Sequence, residues 1–157
     1  MQGDGINYKH TVTRLCGRTK VSADGSRTLT AAWQLRSSDR ASPTPHLSVN
    51  WLEFFSGRER SAQIEAIRSV LAGKLNVKAQ ACLALVPVGE IHRVVNEAGK
   101  GVRVLHWPDV HFEYADMSHA GIFDVEQDED VIAQALSRVE CELVPARSTD
   151  RGEPYGD

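Results

Sequence analysis

The sequence predicts an α+β domain in which a single mixed or antiparallel sheet is packed by about three helices. Three observations carry this. The N-terminal third is rich in Thr, Val and aromatic residues that alternate with polar ones, the period of a half-buried strand. Three later segments place apolar residues at helical spacing, and between them lie short apolar runs of strand length. A mixture of consecutive strands and interspersed helices points to a sheet covered by helices on one face.

Tyr8–Cys16, Thr30–Arg36 and Leu47–Phe55 read as the first three strands. Ala31, Trp33 and Leu35 would share one face of the second, and Leu47, Val49 and Trp51 one face of the third. Asp24-Gly25 marks a turn, and the polar stretch Ser37–Pro45 is a loop held extended by its two prolines. Ser56, with Glu59 three residues on, has the pattern of a capping box. It opens a helix whose stripe is Ile64, Ile67, Val70 and Leu71 and whose end falls at Gly73. Cys82–Val88 is a buried strand, and Ile91, Val94, Val95 and Ala98 form a second helix closed by Gly99. Gly101–His106 and His119–Val125 read as strands. The acids Asp128–Asp130 suit the start of a third helix, with a stripe at Ile132, Ala135, Leu136, Val139 and Leu143 and an end at Pro145.

Residues 1–7 and 147–157 are polar and rich in Gly, Asp, Arg and Pro. They bury too little to offset the entropy of ordering and read as disordered tails around one domain at 8–146. The chain of 157 residues is 41% hydrophobic and 25% charged with a net charge of −3. Without clustered Lys and Arg, broad nucleic-acid binding is not expected. Cys16, Cys82 and Cys141 are odd in number and far apart, which fits neither a disulfide framework nor a zinc knuckle. The N-terminus lacks the apolar core of a signal peptide and no apolar run is long enough for a bilayer, so a cytoplasmic protein without membrane attachment is expected. No motif names a cofactor.

The chemistry that the sequence offers is a polar face. Period two sets His10, Arg14 and Cys16 on one side of the first strand and His46, Ser48 and Asn50 on one side of the third. If these faces adjoin, imidazole, guanidinium and carboxamide line a cleft for an anionic or nucleotide-like ligand. The alternative is a solvated sheet face. Cys16 beside Arg14 has the charge arrangement of an activated thiolate, against the simpler reading of a small core residue. Glu53 could serve as a base if buried. His106, His111 and His119, with Asp109, Glu113 and Asp116, would suit a metal-dependent hydrolase if a loop brought them together, although their spacing follows no standard ligand pattern.

The segments His10–Cys16, Leu47-Ser48-Val49-Asn50-Trp51-Leu52-Glu53 and Ser118-His119-Ala120-Gly121-Ile122 resemble a family of small bacterial proteins with an N-terminal His/Arg strand, an LSVNWLE segment and a late Ser-His segment. The likeness covers about residues 8–146 and brings no activity with it. Ser118-His119-Ala120 is also similar to a few residues in the RNA 2'-phosphotransferase branch of the ADP-ribosyltransferase fold. The rest of that nucleotide-binding pattern has no counterpart here.

Two functional expectations follow. One is a binding or regulatory module of a bacterial defence, stress or toxin-antitoxin system, recruiting a protein partner encoded nearby. The other is an enzyme or binder acting on a nucleotide or RNA phosphate. In it His10, Arg14 and His119 are the catalytic candidates, and His46, Ser48, Asn50 and Ser118 contact the ligand.

Overall fold

In a computed structural model of the chain, residues 1–148 are described. The elements run β1 (Thr11–Cys16), a 3-10 turn at Thr30–Trp33, α1 (Ser37–Ala41), β2 (His46–Trp51), α2 (Arg60–Lys74), β3 (Cys82–Pro87), α3 (Val88–Glu97) and β4 (Arg103–His106). They continue with β5 (Asp109–Val110), β6 (Ala115–Asp116), β7 (His119–Phe123), α4 (Glu129–Leu136) and β8 (Glu142–Pro145). Six strands form one sheet in the order β4-β7-β2-β1-β3-β8, and β5 with β6 makes a separate hairpin. Every pairing is antiparallel. The α+β class with one main sheet, expected from the sequence, is the fold.

The alternation of the central strands feeds two cores instead of one. On β3, Ala84 and Val86 face one core with Val12, Val49 and Ile122, under α3 and α4. Leu83 and Leu85 face the other, where Ile64, Ile67 and Leu71 of α2 pack with Leu52. Helices therefore cover both faces, and the expectation of a one-sided cover is corrected. A near-continuous apolar run such as Cys82–Val88 is what a strand buried on both sides requires.

Four further readings change. Ser37–Ala41, expected within an extended loop, is a short helix. Thr30–Arg36 is not a strand: Ala32 and Trp33 are buried in succession, which a 3-10 turn allows and an alternating strand does not. The Ser56 cap does not form, since α2 starts after Glu59 and no side chain caps it. The last helix stops at Leu136, and Leu143 and Pro145 belong to β8, with Leu143 opposite Ala84. The apolar stripe continues past the helix because the following strand buries residues against the same core.

Residues 1–7 are not a disordered tail. Gly3 N–H donates to His106 O (2.7 Å), Ile6 N–H to Val104 O (3.0 Å) and His106 N–H to Asp4 O (2.8 Å), and Ile6 is 4% exposed. The segment covers the outer edge of β4, a position that otherwise presents unpaired backbone groups. At the other end, Arg147 and Ser148 follow β8, and the rest of the expected tail lies outside the described residues.

Gly121 on β7 is required by its neighbours. A Cβ there would sit 2.7 Å from both His46 Cδ2 and Phe123 Cε1, whose rings stack at 4.7 Å over the glycine. Overpacking of this kind costs about 1–3 kcal/mol. Gly121→Ala should lower the urea midpoint accordingly, and an unchanged midpoint would show that the two rings swing aside freely.

Candidate functional site

The site arises where the middle of the sheet comes apart. β1 runs against β3 over six pairs, yet meets β2 in only two, Val12 with Trp51 and Thr13 with Asn50. Beyond Thr13 the strands part and Arg14 fills the gap. Its Nε donates to Ala32 O (2.9 Å) and its Nη1 to Ser48 O (2.8 Å), and the guanidinium carbon lies 5.8 Å from the centroid of the Trp33 ring. The Ser48 carbonyl faces the place where the ladder has ended, and the guanidinium satisfies it. Burial pulls the Arg14 pKa below its ordinary value, the mark of a charge taken out of water.

A cleft of about 420 Å³ opens at this gap. That size is typical of small-molecule sites. Arg14, Lys20, Arg36 and Lys74 line it with one carboxylate, Asp109; Ser48, Asn50 and His119 line it from β2 and β7, and Leu71, Leu75 and Tyr114 supply apolar surface. The cations are not equal. Lys74 is held by Asp116 (2.6 Å) and Asp109 (3.3 Å), and Arg36 leans on Asp39 (3.5 Å). Arg14 and Lys20 bond only to backbone carbonyls, and among the described residues no carboxylate pairs with either.

Beneath the cleft lies a buried network centred on Asp116, which is 1% exposed. Asp116 accepts from Lys74, from Asn50 Nδ2 (2.9 Å), from Ser118 Oγ (2.8 Å) and from the Ser118 backbone N–H (3.1 Å). Asn50 Nδ2 also donates to Ser118 Oγ (2.8 Å). A carboxylate only accepts, so the amide nitrogen of Asn50 must face it, which leaves the amide oxygen outside this network.

His119 faces Asn50 directly across the β2–β7 ladder. Its Nδ1 lies 2.7 Å from the Trp107 carbonyl, which fixes the proton on Nδ1 and leaves Nε2 as an acceptor. Burial lowers the His119 pKa, against the opposing pull of the Trp107 carbonyl, so the ring is neutral near pH 7.

Of the seven residues singled out in the sequence, the structure brings Arg14, Ser48, Asn50 and His119 to one cleft. Ser118 stands behind it, sealed in the Asp116 network. His46 shares the face of Ser48 and Asn50 but is turned to Phe123, with Nδ1 2.8 Å from Thr44 O. His10 is not at the cleft: its Nδ1 accepts from Trp51 Nε1 (3.0 Å), and Trp51 points to the sheet face opposite Asn50. Period two was also misleading for Arg14. Its face adjoins that of Trp51, not that of Asn50, and only the parting of the strands lets the guanidinium reach the cleft.

The remaining candidates resolve simply. Cys16 is buried, and desolvation raises its pKa to about 11 despite nearby Arg14, so it is a core thiol and not an activated thiolate. Glu53 accepts the Thr11 N–H (2.8 Å), a structural contact. His106 lies on the sheet face opposite His119, where its Nε2 meets Met117 O (2.8 Å), and His111 stacks on Tyr114 in the hairpin. No group of three His, Cys, Asp or Glu among the described residues is placed to hold a metal ion. Lys20, Arg36, Lys74 and Tyr114 were missed, and Asp109 was read as a metal ligand.

Fold and site together define an α+β domain with one antiparallel sheet and a cationic cleft at its central parting. Comparison with family models, with curated proteins and with solved structures finds no match to this chain. No helix of the described residues is long and apolar enough to cross a membrane.

Proposed function

We propose that the domain is a binding module for a small phosphate-bearing anion held in the cleft. One observation carries this: Arg14 is a half-buried cation whose bonded partners among the described residues are two neutral carbonyls, at a place open to a small ligand. Buried charges are normally paired, because an uncompensated one costs several kcal/mol. A phosphate between Arg14 and Lys20 supplies the missing counter-charge, and guanidinium suits phosphate geometry. Among the sequence expectations, this supports the nucleotide or phosphate reading.

Calorimetric titration with inorganic phosphate, pyrophosphate and mononucleotides tests it. At least one probe should bind, and Arg14→Met should weaken that binding by about 30-fold or more, as expected for truncating one side of a desolvated charge pair. Arg93→Met is the control, since Arg93 is exposed and among the described residues pairs with Glu90 and Glu97 alone. Equal loss in both variants, or no binding by any probe, would remove the proposal.

A further inference from the structure

We infer that the ligand of this cleft is a sugar phosphate, with vicinal hydroxyls read by Asn50 Oδ1 and His119 Nε2; this rests on the anion-binding reading above. The two residues are opposed across the β2–β7 ladder, so their Cβ atoms lie about 5 Å apart on one face. Each has its donors committed inward. Asn50 gives both amide hydrogens to Asp116 and Ser118, and His119 gives its ring proton to the Trp107 carbonyl. What remains on each is an acceptor.

Asn50 (5% exposed) and His119 (6% exposed) both line the cleft. Among the described residues the one buried side-chain polar atom without a partner is Thr13 Oγ1, so Asn50 Oδ1 and His119 Nε2 are not sealed in the core. A pair of acceptors, with no donor between them, repels a bare phosphate, which presents only oxygens when ionised. It suits a group carrying two donors side by side, and adjacent hydroxyls of a sugar ring are such a group. The cations Arg14 and Lys20 line the same cleft, so one molecule joining an anionic phosphate to a diol would meet both sets. The buried Lys74–Asp116 pair holds Asn50 in the orientation that makes it an acceptor, and Trp107 does the same for His119. These supports pre-set the recognition before any ligand arrives.

Titration of the unmodified protein with ribose 5-phosphate, 2-deoxyribose 5-phosphate and inorganic phosphate decides the matter. Ribose 5-phosphate should bind about tenfold more tightly than its deoxy analogue, the loss expected when one acceptor is left without its donor. His119→Asn keeps an N–H for the Trp107 carbonyl while removing the Nε2 acceptor, and should abolish most of that preference. Inorganic phosphate binding that needs Arg14, with equal affinity for the two sugars, would overturn the inference and leave the anion site standing. No binding of any of the three would overturn both.

Discussion

Lys74→Met is expected to destabilise the domain by about 3–5 kcal/mol, because it strands the buried Asp116 carboxylate without its counter-charge. Replacing the pair together, Lys74→Met with Asp116→Leu, should recover much of that loss, since no charge then remains to be desolvated. Chemical denaturation of the three proteins measures both effects. A single variant as stable as the parent would mean that Asp116 is supported by Asn50 and Ser118 alone.

The same network sets an acid limit. Burial pushes the Asp116 carboxyl up, but the bonds from Lys74, Asn50 and Ser118 outweigh it and hold the pKa below the ordinary 3.8. A carboxyl with a depressed pKa in the fold takes up its proton more readily in the unfolded chain. Its stabilisation is full above the unfolded value and disappears as pH falls through the folded one. The parent should therefore lose stability below about pH 4 more steeply than Lys74→Met, in which the depression is gone.

The second large effect is expected at Trp33. It is 2% exposed, donates Nε1–H to the buried Thr28 hydroxyl (3.0 Å) and lies under the Arg14 guanidinium. Trp33→Ala opens a large cavity, costing about 3–5 kcal/mol. It also leaves Thr28 without its donor. For a chain of this size the melting temperature should fall by at least roughly 6 °C. A drop of less than about 2 °C would show that the segment 30–33 collapses onto α4 and closes the space.

Trp33 also marks where sequence reading failed. Ala31, Trp33 and Leu35 alternate like a strand, but the core takes Ala32 and Trp33 in succession, which winds the segment into a 3-10 turn. α2, α3 and β3 were legible because their apolar spacing is dictated by the faces they bury, and no competing element disturbs it. The candidate site was legible only where it lies on strands. Ser48 and Asn50 follow from the period of β2, and His119 was picked from the late Ser-His segment; its place opposite Asn50 came from the structure. Lys74, Asp109 and Asp116 come from a helix end and a two-residue hairpin, and nothing local indicates that they meet. Arg14 was singled out, but its route to the cleft was not legible, since the number of pairs formed by two strands is a tertiary property. His10 shares the parity of Arg14, and Trp51 holds its ring on the far side of the sheet.

The two-pair junction between β1 and β2 has a mechanical meaning. It divides the sheet into two three-stranded panels, β4-β7-β2 and β1-β3-β8, each stitched internally by longer ladders. Few backbone bonds must break for the panels to tilt against each other, so slow exchange of amide hydrogens belongs to the panel interiors and fast exchange to the seam. Arg14, rooted in one panel and bonded to the Ser48 carbonyl of the other, is the rivet across that seam.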